Sequence, residues 1–390
     1  MTVLSKVPLD LNKLIVSDLS GVREVCRVLT SAGQFAIDTE FIRERSYQPQ
    51  LCLVQVATAD FVALLDPLAV DLSEVWQLVT ETPTVKIAHA GTQDWEMCFL
   101  KSGKPPVNIF DVQVAAGLAG LPYPSSYGKL VQHVIGQEIP QGHSFSDWTR
   151  RPLTLEQLEY AAADVTYLTG VYDYLRQKLG ELGRLEWLKQ EMEPFEGTGL
   201  YFCEARDAWR KVKGIGRLEP RELAVLRELA AWREKAAQQA DLPARTFLAD
   251  GGLVAITLSR PVTAAAIAAC KFVPRPLASE HWQEILDAIQ VGLNVPATKL
   301  PRLPKFPMIA NSDKALIAQL VDAGATYCLS QSITPEVFAA KHNYTELVRV
   351  LTSGTHPKHT PRLLTGWRRD LTVQILQTSG TGLTVKEESQ

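Results

Sequence analysis

The hydrophobic pattern of the first half of the chain changes repeatedly between helical and strand periods. From Leu19 to Ala32 apolar residues recur at helical spacing, which predicts a helix with Ser20 as its N-cap and Gly33 as its stop. The apolar runs that follow predict three strands, a helix, a strand, a helix and a strand. The strands are predicted over Phe35 to Phe41, Leu51 to Thr58, Phe61 to Asp66, Val85 to Ala90 and Val107 to Val112. The helices are predicted over Ser73 to Thr80 and Thr92 to Leu100.

A short spacer, Ala59 and Asp60, separates the second of these strands from the third, which indicates an antiparallel hairpin. A hairpin followed by strand-helix units is typical of a mixed sheet covered by helices. From about Leu155 the pattern is mostly helical, and the segment Lys299 to Pro307, with Pro at every third position, is the best linker candidate. The sequence therefore predicts an α/β domain over residues 1–200 and helical domains over residues 208–292 and 293–385.

The composition fits a folded protein of two or three domains: the chain has 390 residues, of which 46% are hydrophobic and 21% charged. No apolar run reaches membrane length, and acids interrupt the first twenty residues, so we expect no membrane helix, no signal peptide and a cytoplasmic location. The six cysteines include no CxxC pair, which argues against a disulfide framework or a structural zinc site.

Charge divides the chain in a way that the net value of -3 hides. Residues 1–200 contain 16 Lys and Arg against 25 Asp and Glu, whereas residues 201–390 contain 24 against 18. Such a split is expected if carboxylates gather cations in the first half while the second half meets a polyanion. Two ordinary solvated surfaces explain it equally well.

Several acids of the first half have a spacing that brings side chains together. In a regular strand Asp38 and Glu40 lie on the same face, with Thr39 on the other. Tyr160 and Asp164 are four residues apart on a predicted helix, so they lie one turn apart on one face. Asp94 is expected in the first turn of the helix after the strand KIAHA, at a strand end where sites commonly form.

Each of these residues alone has an ordinary structural explanation. The strand acids can be partners of buried arginines, Tyr160 and Asp164 a solvated helix face, and Asp94 a first-turn charge favoured by the helix dipole. The conjunction of four acids and one tyrosine in this order is what favours a site. Clustered carboxylates without nearby His or Cys suit Mg²⁺ or Mn²⁺ and disfavour zinc.

This pattern resembles the DEDD exonuclease superfamily in its tyrosine-containing branch. The first motif is Asp38-Thr39-Glu40, the second contains Asp94 in HAGTQDW, and the third is Tyr160 with Asp164. The sister branch has a His where this chain has Glu159. The stretches AIDTEFIRERSYQPQLCLVQVA and SDWTRRPLTLEQLEYAAADVTYL resemble the ribonuclease D family, and LAAWREKAAQQADLPARTFLADGGLVAI looks like a helicase-and-RNase-D C-terminal (HRDC) domain, with GWRRDL similar to the end of a second one.

The resemblance implies an RNase H-like mixed-sheet exonuclease domain, followed by two all-α HRDC-type domains. It also implies two divalent cations, Mg²⁺ or Mn²⁺, with Asp38 bridging them, Glu40 and Asp164 completing the ion on the nucleophile side, and Asp94 holding the other. Tyr160 would orient the attacking water. The implied reaction releases nucleoside 5′-monophosphates from the 3′ end of RNA, with tRNA precursors as substrates and a monomer sufficient for activity.

Further residues are weaker candidates for substrate contacts. Arg150 and Arg151, beside Trp148, can hold phosphate and stack on a base, although pinning their loop to Asp147 explains them as well. Gln55 lies on a strand close to the first motif. Asp111 is expected to cap or brace its neighbours rather than bind metal.

Two basic features concern RNA directly. Gln141 stands where the ribonuclease D family often has Lys, and His143 is expected to replace that cation in part. Arg210, Lys211 and Lys213 belong to a basic run at the start of the first helical module, where RNA phosphates are natural partners although acids interrupt the run. Two alternatives stay open: a 3′-5′ DNA exonuclease, which matched RNA and DNA substrates would separate, and a non-catalytic RNA-binding scaffold, which would release no nucleotide with any metal.

Overall fold

The computed structural model describes residues 11–139, 146–201, 204–303, 310–353 and 360–385. In these residues the chain forms two compact units. Of the described residues, the sheet unit contains 11–40, 51–139, 146–198, 310–353 and 360–385, and the helical unit contains 41–50, 199–201 and 204–303. Most of the predicted third domain therefore lies in the same unit as the sheet.

The sheet is mixed, as predicted, and has six strands in the order β1-β4-β3-β2-β5-β6. The strands β3 and β4 form the predicted antiparallel hairpin, while β1 pairs parallel to β4, and β5 parallel to both β2 and β6. Strand β1 is two residues long and was not predicted, because so short an apolar pair carries no period. The strands are β1 (Ile15–Val16), β2 (Gln34–Ile42), β3 (Gln50–Ala57), β4 (Val62–Leu65), β5 (Val85–Ala88) and β6 (Ile109–Asp111).

Eight helices accompany these strands in the first 200 residues that the structure describes. They are α1 (Leu19–Ala32), α2 (Ser73–Glu81), α3 (Thr92–Ser102), α4 (Val112–Leu118), α5 (Tyr127–Ile135), α6 (Leu155–Thr166), α7 (Leu168–Glu181) and α8 (Leu185–Glu196). Helix α1 has the predicted bounds and ends at Gly33, whose φ of 72° is a left-handed C-cap. Its N-cap is Asp18 and not Ser20, since the Asp18 carboxylate accepts a hydrogen bond from the backbone N–H of Gly21.

The apolar run from Val107 to Val112 changes structure within its length. Strand β6 ends at Asp111, and Val112 already begins helix α4. The predicted single strand was therefore wrong at its end: the Asp111 side chain caps α4 by accepting hydrogen bonds from the N–H groups of Gln113 and Val114. A capping carboxylate starts a helix even where the apolar run continues.

The helical unit has a hydrophobic core of its own, built around Trp209, Leu226, Leu229 and Ile285. Its longest helix begins at Pro220 in the first helical position, where the missing N–H of proline costs nothing. The helices are α9 (Pro220–Gln239), α10 (Ala244–Phe247), α11 (Asp250–Ser259), α12 (Ala264–Ala268), α13 (Arg275–Glu280) and α14 (Trp282–Leu293), preceded by 3-10 turns at Ala205–Lys211 and Ile215–Arg217.

The last four helices pack within the sheet unit. They are α15 (Asn311–Ser330), α16 (Pro335–Phe338), α17 (Lys341–Ser353) and α18 (Arg368–Thr378). At one junction, Glu191 of α8 accepts hydrogen bonds from Arg368 and from the Trp367 indole, the latter over 2.9 Å. The Trp367 ring stacks on Trp187 with centroids 4.7 Å apart and planes 11° from parallel.

A second junction joins the end of α4 to the segment before α16. Thr334 donates its backbone N–H to the Gly117 carbonyl over 3.0 Å and its hydroxyl to the Leu121 carbonyl over 2.6 Å. The Arg184 guanidinium bridges the same two segments through the carbonyls of Leu118 and Ser332. These contacts make the C-terminal helices part of the packing around α4 and α8. No helix in the described ranges is long and apolar enough to cross a membrane.

Candidate nuclease site

Three carboxylates from two elements meet beside the central strand. Asp38 and Glu40 project from β2 and Asp164 from α6, and each offers an oxygen such that these oxygens all lie within 4.8 Å of one another. The three side chains are half-buried. The alternation of the strand and the position of Asp164 on its helix explain why residues far apart in sequence share this place.

Asp94 lies next to this group, in the first turn of α3 as predicted, and is buried. Its Oδ1 accepts a hydrogen bond of 2.5 Å from the Thr39 hydroxyl. It does not belong to the set of three close carboxylates, although its charge raises the pKa of both Asp38 and Glu40. Thr39, which the alternation of the strand places on the face opposite the acids, was not predicted to take part.

Tyr160 lies one helical turn before Asp164 on α6, and its side chain is hydrogen-bonded to the Asp164 carboxylate. Its ring centroid is 6.1 Å from that of the buried Trp148. A second tyrosine was not predicted: Tyr127 donates its hydroxyl to the Ala163 carbonyl over 3.2 Å, and burial and the nearby Asp164 and Asp38 raise its pKa. The sequence holds no spacing signal for it.

The electrostatics of the cluster are those of like charges removed from water. Burial is the largest cause that raises the pKa of each acid, to about 8 for Glu40, about 7 for Asp164 and about 6 for Asp94. The pKa of Asp38 lies well above its ordinary value because of burial and then of its three acidic neighbours. In the described part of the chain no lysine or arginine forms an ion pair with these four acids.

The donor set fits a hard divalent cation. It offers only carboxylate oxygens at close range, which Mg²⁺ and Mn²⁺ prefer and zinc does not. A cation at this point would also remove the repulsion that keeps protons on the carboxylates. The residues present therefore fit a metal ion.

The predicted substrate contacts near this cluster lie in different environments. Arg150 is exposed and is 3.6 Å from Asp147, as the structural alternative expected. Arg151 instead forms hydrogen bonds of 2.6 Å and 2.7 Å with the buried Asp66 and a third with the Cys52 carbonyl. These hydrogen bonds occupy the guanidinium within the fold, so the prediction that Arg151 contacts RNA is not supported.

Two other candidates are buried. Trp148 is 2% exposed, which leaves no face for stacking on a base. Gln55 is fully buried, and its two amide atoms have no hydrogen-bond partner among the described residues. Gln141 and His143 lie outside the described residues.

The helical unit carries the predicted basic residues on its surface. Arg210, Lys211 and Lys213 are exposed, and the Arg210 guanidinium lies 4.8 Å from the centroid of the Trp209 ring. Arg210 also lines a cleft of about 440 Å³. Four cationic side chains line this cleft, Arg206, Arg210, Arg227 and Lys299, together with the acids Glu204 and Asp207.

Comparison with known proteins identifies both kinds of domain. Residues 14–180 match a 3'-5' exonuclease family, and residues 222–289 match the HRDC domain family. The chain is 35% identical over 361 residues to ribonuclease D of Granulibacter bethesdensis, covering 92% of this chain and 90% of that one. It is 32% identical to ribonuclease D of Bartonella henselae, covering 92% and 87%.

Solved structures agree with these relatives. Escherichia coli RNase D, an exoribonuclease involved in structured RNA processing, superposes with a TM-score of 0.81 at 25% identity, covering 93% of this chain and 98% of that one. The catalytic core of RRP6 from Trypanosoma brucei shares the fold, with a TM-score of 0.56 at 24% identity over 72% of this chain and 79% of that one. The acidic cluster lies within the matched exonuclease segment, and the chain belongs to the ribonuclease D family of 3′-5′ exoribonucleases.

Proposed function

We propose that the protein trims the 3′ ends of structured RNA, tRNA precursors above all, by metal-dependent hydrolysis at the acidic cluster. The observation that carries this proposal is the convergence of Asp38, Glu40 and Asp164, whose carboxylate oxygens lie within 4.8 Å of one another. An RNA substrate also implies a cytoplasmic site of action, and one chain with its two helical modules is sufficient as a monomer.

Each site residue has a defined task in this proposal. Asp38 and Glu40 from β2 and Asp164 from α6 provide the oxygens that hold Mg²⁺ or Mn²⁺, and Asp94 completes the set beside them. When bound there, a pair of such ions supplies charge stabilisation for an in-line phosphodiester displacement. Tyr160 is already hydrogen-bonded to Asp164, so its hydroxyl is placed to orient the attacking water.

RNA binding would extend beyond the cluster to exposed cations. Arg150 is exposed in the sheet unit, and Arg210, Lys211 and Lys213 are exposed in the helical unit. Contacts of such side chains with phosphates are independent of base sequence and weaken as salt rises. We therefore assign the choice of 3′ end to RNA shape rather than to base readout.

The test is digestion of a tRNA with a short 3′ extension while Mn²⁺ is titrated from zero. We expect nucleoside 5′-monophosphates to accumulate only with metal, and Asp38→Ala to reduce turnover at least about 1000-fold because it removes several kcal/mol of charge stabilisation. Asp60→Ala is the matched control, since Asp60 is an exposed acid in the hairpin turn of the same sheet.

Two further measurements sharpen the result. Tyr160→Phe should keep Mn²⁺ binding and lower the maximal rate by about 100-fold, as expected for a residue that assists proton transfer or water orientation. A DNA strand of the same sequence should be degraded more slowly than the RNA. Equal turnover by Asp38→Ala and wild type would refute the acidic cluster as the catalytic site. Faster degradation of DNA than of RNA would show that the substrate is DNA.

A further inference from the structure

The Asp111 carboxylate accepts hydrogen bonds from four backbone N–H groups that belong to two different elements. Its Oδ1 accepts from Gln113 over 2.8 Å and from Val114 over 3.3 Å, which caps α4. The same oxygen accepts from Ala90 over 3.2 Å, and Oδ2 accepts from Gly91 over 3.0 Å. Asp111 is only 6% exposed, so water competes little for these bonds.

The turn held in this way connects β5 to α3 and is tight. Ala90 has a φ of 56°, a left-handed conformation that costs a residue with a Cβ roughly 1–2 kcal/mol. A Cβ at Gly91 would lie 2.7 Å from the Ala88 side chain and 2.9 Å from the Trp95 indole nitrogen. The intrinsic backbone preference of Ala90 does not favour the conformation of this turn. Contacts such as the hydrogen bonds to Asp111 must therefore stabilise it.

Sheet register places Asp111 next to the turn. Ala88, the last residue of β5, is paired with Asp111, the last residue of β6. The carboxylate therefore reaches across one strand spacing to the N–H groups of Ala90 and Gly91, the second and third residues after β5. The bond geometry follows from the sheet itself and does not depend on a flexible loop.

Asp94 lies in the first turn of the helix that this turn begins. The Gly91 carbonyl accepts the first helical hydrogen bond of α3, from the Trp95 N–H over 3.0 Å. A helix moves as a rigid element on this scale, so a change in the Gly91 backbone displaces Asp94 with it. The distance between Asp94 and the group Asp38, Glu40 and Asp164 is thus set at this turn.

We propose that Asp111 is a positioning residue of the nuclease site: by closing the Ala90–Gly91 turn it sets where Asp94 stands relative to the other three acids. It does so through backbone N–H groups alone and contributes no oxygen to the close carboxylate set. This inference rests on the proposed function of the cluster and goes beyond it, since it assigns a role to a residue outside the motifs.

The variant that isolates this role is Asp111→Asn. Asparagine caps helices as well as aspartate, and its amide oxygen can keep the three bonds of Oδ1. Its amide nitrogen then faces the Gly91 N–H, so that a donor meets a donor and the bond is lost. Asp18→Asn is the matched control, because Asp18 caps α1 in the same manner and is exposed.

Four quantities are measured for wild type and both variants: Mn²⁺ affinity by electron paramagnetic resonance of the free ion, the kcat and the KM for a 3′-extended RNA, and the melting temperature without metal. For Asp111→Asn we expect about 10-fold weaker Mn²⁺ binding and about 10-fold lower kcat, the size typical of residues that orient a metal's ligands. The KM for RNA should stay within about twofold, and the melting temperature should fall by a few degrees more than for Asp18→Asn because the lost bond is buried, so binding and rates are measured well below it.

A second substitution tests the route of the effect. Ala90→Gly removes the cost of the left-handed φ, so the turn needs less support from Asp111. In the double variant Asp111→Asn with Ala90→Gly we expect Mn²⁺ affinity to recover by about fivefold, whereas a role as helix cap alone predicts no recovery. Ala90 is exposed, so its substitution leaves no cavity.

The outcomes separate this inference from the proposed function. If wild type binds Mn²⁺ and degrades RNA, and Asp111→Asn does both equally well, the positioning role is wrong and the function stands. If wild type releases no nucleotide, the function fails, and the Mn²⁺ affinities still decide the positioning role. If the melting temperature of Asp111→Asn falls but the folded variant binds Mn²⁺ as tightly as wild type, Asp111 acts only as a helix cap.

Discussion

Two regions of the sheet unit contain buried carboxylates, and their pKa values move in opposite directions. At the nuclease site burial raises the pKa values of Asp94, Asp164 and Glu40 to about 6, about 7 and about 8. At the junction of α8 with the C-terminal helices, burial also acts on Glu191, but the hydrogen bonds and charge of Arg368 outweigh it and lower the pKa.

The difference lies in where the compensating charge comes from. Glu191 has Arg368, Arg362 and the Trp367 N–H within hydrogen-bonding distance, so the chain neutralises it on folding. The acids of the nuclease site face one another, and among the described residues their hydrogen-bond partners are neutral hydroxyl and backbone N–H groups, such as those of Thr39. A carboxylate that is paired within the fold is costly to leave unpaired, whereas a cluster of carboxylates without a cationic partner is a candidate site for an ion from solution.

The largest expected effect on stability comes from breaking the completed pair. Arg368→Met leaves Glu191 buried without its main partner, which should lower the free energy of unfolding by about 3–5 kcal/mol. Urea unfolding followed by tryptophan fluorescence measures this, since the stacked Trp187 and Trp367 lie at the junction. Asp164→Asn at the nuclease site should leave the stability of the metal-free protein unchanged or raise it, although turnover is lost.

The control for this contrast is the double variant Glu191→Leu with Arg368→Met. Replacing both partners with apolar residues removes the unpaired charge and should restore most of the stability. Recovery should be incomplete, because Arg368 also donates to the carbonyls of Phe338 and Val337. Equal destabilisation by Arg368→Met and Asp164→Asn would show that the two regions do not differ as described.

A smaller effect is expected from pH in the absence of metal. Because the pKa values of the site acids are raised, the native protein between about pH 4 and pH 8 holds protons that the unfolded chain has released. The contribution of these acids to the free energy of unfolding is therefore complete below pH ~4, which is their pKa in the unfolded chain. It decreases as the pH rises through their folded pKa values of about 6 to about 8. Glu191 acts in the opposite sense, since its lowered pKa adds stability above its unfolded pKa that is lost in acid.

We expect the free energy of unfolding to fall from pH 5 to pH 8 without metal, by up to about 1.4 kcal/mol per pH unit for each site acid that titrates. Denaturation at fixed pH steps measures it. Saturating Mn²⁺ should abolish the decrease, because the ion binds the ionised carboxylates, and Asp164→Asn should reduce the slope. A metal-free stability that rises over this interval would contradict the raised pKa values.

The smallest expected effects distinguish the structural role of Arg151 from the proposed RNA contact of its neighbour Arg150. Arg151→Lys loses the paired hydrogen bonds to Asp66 and should cost about 1–2 kcal/mol of stability, with no change in the KM for RNA. Arg150→Ala should leave stability unchanged and raise KM, with a larger effect at low salt. Urea titrations and initial rates on the 3′-extended RNA measure both, and a KM shift for Arg151→Lys alone would reverse the assignment.

The sequence predicted what depends on period and spacing. The bounds of α1, the hairpin β3–β4 and the shared face of Asp38 and Glu40 all follow from alternation along the chain. Contacts between distant segments carry no such signal. The partner of Arg151 is Asp66, 85 residues away, and the hydroxyl of Thr39 reaches Asp94 from the face expected to point away.

The junction between Glu191 and Arg368 joins residues 177 positions apart, and the larger segment of the helical unit, which begins at residue 199, lies between them in the sequence. A ribosome must therefore translate through α18 before α8 finds its partner, and until then the tryptophan and carboxylate on α8 are uncovered. The closing of so long a loop is entropically costly and slow, so this contact belongs to the last steps of folding. During synthesis the nascent sheet is thus exposed to chaperones and proteases for longer than its position near the N-terminus suggests.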